Sequence, residues 1–425
     1  MPNPQGHNQW GEKECPEPEL LKSTLIKYAR QNLSRVDKLD RLRRDLSYDI
    51  GKTKLNELER EYGIPSVRRP GKTTEEINKM VVGEIKKDTN MQRGPVALKS
   101  LLRDQGIMVP RSTVRSLMHK LAPHGFHLRY PGSQKVKNPR VALWAFGPYH
   151  EISADGHEKL NSQALQMGEI SLAIYLYRDK WSGAILKLSV LPDCRTAAAL
   201  GHVFLDLVAD LGGIPMQMTT DKGPEVGWQY ALQDGLRALY APQIKPEIYP
   251  SFVTLKSVHN TVSESTWRFL GEQKTRTLKE VILRGKADHI FRPQCSFHCH
   301  LFYWVFVPLV QKELDEFKSY WNNHKIRRQA EKRMPSEHVP LDALEHPEVY
   351  DGINCLIKIP KDGQDVAREY LTGKVGSREE HVSWYSLEFA AIAERTYLAI
   401  GSPELDLDSA WDVFDKMSRN MVDTL

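Results

Sequence analysis

Hydrophobic positions repeat with one period in the first third of the chain and with a mixture of periods afterwards. From Leu20 to Ile64 they recur three and four apart, with Leu39, Leu42 and Leu46 and then Leu55, Leu58 and Tyr62 forming one-sided stripes, which predicts helices. Gly51 separates the two runs, and Gly63-Ile64-Pro65 ends the second. Thr74-Glu75-Glu76 opens a further helix with acids in its first turn, where the helix dipole favours them. Pro95 to Arg103 puts Leu98, Leu101 and Leu102 on one face, and Gly106-Ile107-Met108-Val109-Pro110 makes a turn. A second helix follows, with Ser112 as its expected cap and Val114, Leu117, Met118 and Leu121 expected inward.

Beyond residue 140 strand-like segments enter. Val141 to Asp155 is an expected entry strand, and Ile170–Tyr177 with Ala184–Val190 reads as a hairpin turned at 178–183, where Asp179 is a turn residue. Thr196 to Leu211 predicts a helix capped around Pro192-Asp193, followed by a short buried strand from Met216 that ends on Asp221 at a Lys222-Gly223-Pro224 breaker. Gln229–Leu239 reads as helix, and Ile248–Leu255 as strand or loop. Another helix begins near His259, with Val262, Trp267, Phe269 and Leu270 packing. The aromatic run from Phe297 to Phe317 marks a buried helix, and 384–400 and 407–423 read as helices. The order predicts an α/β domain with a mixed sheet, preceded by an all-α helix-turn-helix region and followed by a mainly helical C-terminal region. The expected divisions are a disordered N-terminus at 1–18, a helical region at 20–124, a basic linker at 125–141, a core at 142–335 and a C-terminal region of unassigned role at 336–425.

Composition narrows the class. Of 425 residues, 40% are hydrophobic and 27% charged, which excludes disorder throughout. The net charge of +5 is unevenly spread: residues 1–150 carry +12 and the remainder −7, so the N-terminal part is the expected polyanion binder. Arg111, Arg115, His119 and Lys120 are left to point outward from the helix after Pro110, the layout of a helix-turn-helix whose second helix enters the major groove. Arg129, Lys135, Lys137 and Arg140 make the following linker basic. Five scattered cysteines give no disulfide framework and suit a reducing cytosol or nucleus. No secretory signal and no apolar run of membrane-spanning length is present, so a soluble intracellular protein is expected. Cys295-Ser296-Phe297-His298-Cys299-His300 invites a zinc reading but lacks a second ligand pair, so a reduced, buried helix start is the simpler account.

Three carboxylates stand where a site could form. Asp155 lies in the entry strand, Asp221 at a strand tip with sixty-five residues between them, and Glu264 near the start of a helix after forty-two more intervening residues, where Asn260, Glu264 and Arg268 share one face. With its Thr220-Asp221-Lys222-Gly223 strand end, its Ser257-Val258-His259-Asn260 helix start leading to Glu264 and Trp267, and its Trp321-Asn322-Asn323-His324 segment, the chain resembles the retroviral-type integrase core of transposases and integrases. It is most similar to fungal integrase-core-domain proteins of mobile elements, and the turn before Arg111 resembles the N-terminal helix-turn-helix of bacterial and fungal transposases. The resemblance spans roughly 90–335. It departs at Val262-Ser263-Glu264-Ser265-Thr266-Trp267, where relatives carry basic neighbours of the glutamate.

The resemblance implies a ribonuclease H-like fold in which Asp155, Asp221 and Glu264 form an Asp-Asp-Glu triad. Two Mg²⁺ (or Mn²⁺) ions would be held there, with Asp155 bridging both. It further implies metal-dependent cleavage and joining of double-stranded DNA, at element ends and target, by a nuclear homo-oligomer. Arg111, Arg115, His119, Lys120, Asn260 and Arg268 are the expected DNA contacts. Two other readings remain: a domesticated, catalytically inactive DNA-binding protein that keeps the fold, and a ribonuclease H-like nuclease acting on RNA–DNA hybrids.

Overall fold

A computed structural model of the chain describes residues 15–70, 72–88, 91–122, 125, 144–255, 261–329 and 334–422. They fall into two compact units, one within Met1–Gln134 and Asn323–Lys325, the other within Lys135–Asn322 and Ile326–Leu425.

The first unit contains six helices among the described residues: α1 (Pro18–Arg30), α2 (Arg35–Leu46), α3 (Lys52–Glu61), α4 (Thr74–Lys86), α5 (Pro95–Asp104) and α6 (Arg111–Leu121). The Leu20–Ile64 stripe is therefore three helices. Its extra break is made by a capping box at Ser34, whose side chain accepts from Asp37 N–H while the Asp37 carboxylate accepts from Ser34 N–H. Leu21, Leu25, Tyr28, Leu42, Leu55 and Leu58 close the core of α1–α3. Ile77, Val81, Leu98, Leu102, Val114 and Met118 close that of α4–α6. The α5–α6 turn serves both cores, since Met108 packs in the first while Ile107 and Val109 pack in the second. Gly106, with φ of +81°, permits the turn: Ile107 N–H donates back to Leu102 carbonyl and Gly106 N–H to Arg103 carbonyl.

Two expectations fail in α6. Pro110, not Ser112, occupies the N-cap position, because its ring fixes a φ of −64° that leads directly into the helix, leaving Ser112 inside the first turn. Leu121 is 51% exposed, because the helix ends there and its last residue extends past the small core it was expected to join.

The second unit is built on a five-stranded sheet of order β3-β2-β1-β5-β6, with β1 (Glu151–His157), β2 (Ala173–Asp179), β3 (Ile185–Leu191), β5 (Gln217–Asp221) and β6 (Phe252–Leu255). β1, β2 and β3 run antiparallel, whereas β1, β5 and β6 run parallel. The entry strand begins at Glu151, later than expected. The preceding residues 144–150 are turn and loop, with Tyr149 at a φ of +62°, and 141–143 lie outside the described residues. Helix α7 (Ala197–Leu211) is entered from Thr196 without a side-chain cap, so the expected cap at Pro192-Asp193 is not made; Asp193 accepts from Arg195 N–H instead. Helix α8 (Gly227–Tyr240) follows β5.

Alternation along the strands divides the sheet between two environments. Ile152, Ala154, Tyr175, Tyr177 and Met218 join Leu200, Phe204 and Leu232 in the main core on one side. Ser153 and Asp155 make their side-chain contacts with helix α9 (Thr261–Leu270). A π-helical turn, Gly271–Thr275, joins α9 to α10 (Arg276–Ala287), and the aromatic segment is one long helix, α11 (Ser296–Asn323). Asn322 donates to and accepts from the backbone of Ile185, and Gln311 does the same for Leu188 and Val190, which covers the outer edge of β3.

The C-terminal residues pack with this unit. β4 (Gly213–Ile214) pairs with β7 (Ile357–Lys358), and Leu371 of α12 (Lys361–Val375) enters the main core. Arg368 and Arg378 both bond Asp206 of α7. Helix α13 (Leu387–Ala399) precedes α14 (Ala410–Val422), whose Trp411 donates to Val281 carbonyl. Among the described residues no helix is long and apolar enough to cross a membrane.

Candidate active site

Strand pairing places the two aspartates. Glu151, Ile152 and Ser153 of β1 pair in parallel with Gln217, Met218 and Thr219 of β5, so Asp155, two residues before the end of β1, and Asp221, the last residue of β5, stand two residues past the last pair, level and toward the carboxyl ends of adjacent strands. Since side chains alternate, Ser153 and Asp155 share a face with each other, as do Thr219 and Asp221. Ligand sites in sheets with parallel strands lie at such ends.

Helix α9 is fixed on this face by polar bonds. Ser153 Oγ and Ser263 Oγ are 2.9 Å apart, and Trp267 Nε1 donates to Asp155 Oδ2 at 2.7 Å. Arg178, on β2 and 8% exposed, donates through Nη1 to Val262 carbonyl (2.7 Å), Ser265 Oγ (2.9 Å) and Thr266 Oγ1 (2.8 Å), with its guanidinium 4.8 Å from the Trp321 ring. These anchors flank Glu264, whose own side chain is exposed. Trp267 and Leu270 are buried as the spacing predicted, while Val262 and Phe269 are half-buried.

The electrostatics tie the three carboxylates together. Burial pushes Asp155 up to about 7, the charges of Asp221 and Glu264 push in the same direction, and the Trp267 indole and Gly156 backbone N–H groups oppose them. The charge of Asp155 also reaches Tyr175, which burial already raises strongly, and so does that of Glu225, four residues beyond Asp221. His157 is pushed down to about 4 by burial, with its ring stacked on Trp267 at 4.5 Å. A half-buried carboxylate raised further by like charges is the local signature of a place that lacks positive charge. Among the described residues no three His, Cys, Asp or Glu side chains form a metal-holding group by themselves. The donor set still fits Mg²⁺, which is commonly held by one or two carboxylates together with waters and substrate phosphates.

The remaining predicted residues are elsewhere. Arg111, Arg115, His119 and Lys120 are all exposed on α6, with Arg115 Nε 3.5 Å from His119 Nε2. Arg268 is exposed on α9 with its guanidinium 4.9 Å from the Phe269 ring, and Asn260 lies outside the described residues. His298 accepts from Arg292 N–H through Nδ1 and meets Ser418 Oγ through Nε2, so both its ring nitrogens have partners; it is the one buried residue of the expected buried helix start, Cys295 and Cys299 being half-buried. From the sequence Trp267 is expected as a packing residue and as part of the motif after Glu264, with no contact to Asp155 assigned to it, and neither Arg178 nor Glu225 stands out. The Asp221-Lys-Gly-Pro-Glu225 spacing was the available signal for the last.

Residues 170–346 match the family model described as "Integrase core domain", a span that contains Asp221 and Glu264 but begins after Asp155. The mixed sheet flanked by helices has the ribonuclease H-like arrangement of that family. No curated protein matches the sequence. Solved structures of similar chains include the simian T-cell lymphotropic virus intasome in complex with PP2A regulatory subunit B56 gamma, at 15% identity and a TM-score of 0.28 over 61% of this chain and 73% of that one. They also include the Mos1 strand transfer complex, at 12% identity and a TM-score of 0.16 over 64% and 94%. At those scores the two likenesses add no weight to the assignment.

Proposed function

We propose that the chain is a transposase- or integrase-like DNA strand transferase, an enzyme of the Asp-Asp-Glu type that cuts and joins DNA phosphodiesters in the nucleus. The observation that carries the proposal is the level placement of Asp155 and Asp221 on adjacent parallel strands, toward their carboxyl ends, with the charge of Glu264 reaching Asp155. Asp155, Asp221 and Glu264 are the residues that would hold the divalent ions. When bound, Mg²⁺ or Mn²⁺ supplies Lewis-acid activation of the attacking oxygen and stabilisation of the leaving oxygen. Arg268 faces DNA near the site, and Arg111, Arg115, His119 and Lys120 hold the duplex, with residues 125–141 as a basic linker to a core spanning 142–335. Both ends of an element must be joined at one target, so the working form is a homo-oligomer.

The test is Mg²⁺- or Mn²⁺-dependent nicking and strand transfer by the full chain on plasmid and on candidate element ends. Arg115→Ala should weaken duplex binding by about 1–3 kcal/mol if it reads a base edge, and binding should fall steeply as salt rises. The departure at Val262–Trp267, where Ser263 and Ser265 stand in place of the basic neighbours of the glutamate that relatives carry, favours one second reading, a domesticated DNA-binding protein with an inactive core. That reading predicts salt-sensitive DNA binding without turnover on any DNA end with either metal.

A further inference from the structure

Beyond the three carboxylates, one contact ties the Glu264 helix directly to Asp155. The indole N–H of Trp267 meets Asp155 Oδ2 at 2.7 Å, and the indole face is covered by the His157 ring at 4.5 Å with only 8° between the planes. Trp267 is 5% exposed and His157 7%, so the donor is held in a dry, stacked position with no freedom to turn toward water. The helix that carries it is held by independent bonds on both sides of Glu264, from Arg178 to Val262, Ser265 and Thr266 and from Ser153 to Ser263. The indole therefore comes to Asp155 in a fixed register, and Glu264, three residues before Trp267, is fixed by the same helix.

We propose that Trp267 is a positioning residue that sets the orientation of the Asp155 carboxylate and couples it to the helix bearing Glu264. A carboxylate has about four lone-pair sites, so the indole donor on Oδ2 and the Gly156 N–H use two of them, and the indole stops the group from rotating while the other sites stay open to a cation. Outer-shell donors of this kind orient metal-binding carboxylates and tune affinity without touching the metal. Trp267 thus links the strand-borne and helix-borne parts of the site. The inference rests on the reading of Asp155 as a metal-binding residue.

Mn²⁺ binding to the full chain, followed by loss of the free-ion electron paramagnetic resonance signal, tests it through a double-mutant cycle. Trp267→Phe keeps a ring against His157 and removes the donor together with part of the buried ring, a packing loss that would act alike in both backgrounds of the cycle. It is expected to weaken Mn²⁺ binding by about 10- to 100-fold in the wild-type background and to have little further effect in an Asp155→Asn background. A residue that merely supports the fold would weaken both backgrounds alike. Equal losses, or Mn²⁺ binding to Trp267→Phe as tight as to wild type, overturn the proposal while leaving the metal site standing. A folded wild-type chain that takes up no Mn²⁺ overturns the metal reading and this inference together. Should Trp267→Phe fail to fold, Trp267→Met, an apolar side chain without a donor, takes its place in the cycle.

Discussion

The β2–β3 turn and the carboxyl-terminal part of β1 each hold an aspartate, and in both places burial is the main force on its titration. Asp179 is pushed up to about 6 and Asp155 to about 7. What separates them is their company. Asp179 accepts from Ser182 N–H, Ser182 Oγ and Tyr149 N–H, at 2.7, 2.6 and 2.7 Å, and the Arg178 charge draws it back down. Asp155 has the Trp267 and Gly156 donors, but its charged neighbours are Asp221 and Glu264, which push it further up. A raised carboxyl by itself does not mark a site. One enclosed by donors builds a turn, whereas one facing other carboxylates calls for a cation.

The sharpest way to break this comparison is to remove the carboxylate beside Asp155. Asp221→Asn keeps the side-chain shape and deletes an anionic ligand, so Mg²⁺-dependent nicking should fall by at least about 100-fold, more than the loss of an outer-shell partner costs. Duplex binding by the full chain should be unchanged, as read by a salt titration of DNA affinity. Nicking by Asp221→Asn at the wild-type rate would refute the triad.

Next in size is the same chemical change made in the turn. Asp179→Asn offers one acceptor where three donors converge, and its amide N–H₂ must face a backbone N–H. The cost should be about 2–3 kcal/mol of stability, the upper part of the range for a buried donor left unpaired, because the Tyr149 N–H then faces another donor. The urea midpoint measures it; a midpoint within error of wild type would mean that the turn does not depend on this carboxylate.

How much of this contrast can be read from the residues depends on which interaction decides it. Asp179 is legible as a turn residue because the Arg178-to-Gly183 segment carries its own breaker, and turn chemistry is local. Asp221 is legible because Lys222-Gly223-Pro224 terminates its strand. That Asp155 lies level with it depends on a parallel pairing between strands separated by a hairpin and a helix, and no local pattern encodes such a register. The polar bonds that fix α9 are equally non-local: Arg178 belongs to a hairpin, and nothing in its sequence surroundings says that its guanidinium reaches Val262, Ser265 and Thr266. Period-counting also stops short at Leu121, whose place in the stripe of α6 predicts burial although the helix ends there. Conversely, Trp321 and Asn322, identifiable as a motif, turn out to bond the Gly183–Ile185 backbone, a structural task.

The smallest expected effect is also the one that tests the comparison most directly. Asp155 ionises at a higher pH in the fold, about 7, than its ordinary value of 3.8, so between those limits the folded chain binds more protons from this group than the unfolded chain does. Wild-type stability from this source is therefore lost as pH rises from about 4 to about 7 and stays low above that. Asp155→Asn cannot ionise, and its amide oxygen can still accept from Trp267. It should equal wild type near pH 4 and exceed it by about 1–3 kcal/mol at pH 8, a part of the largest value that such a shift permits. Added Mg²⁺ at pH 8 should narrow the gap by stabilising only wild type. Urea midpoints at the two pH values decide the matter. If Asp155→Asn proves weaker than wild type at pH 8, as Asp179→Asn is expected to be, Asp155 is a satisfied structural group and the distinction between the two aspartates fails.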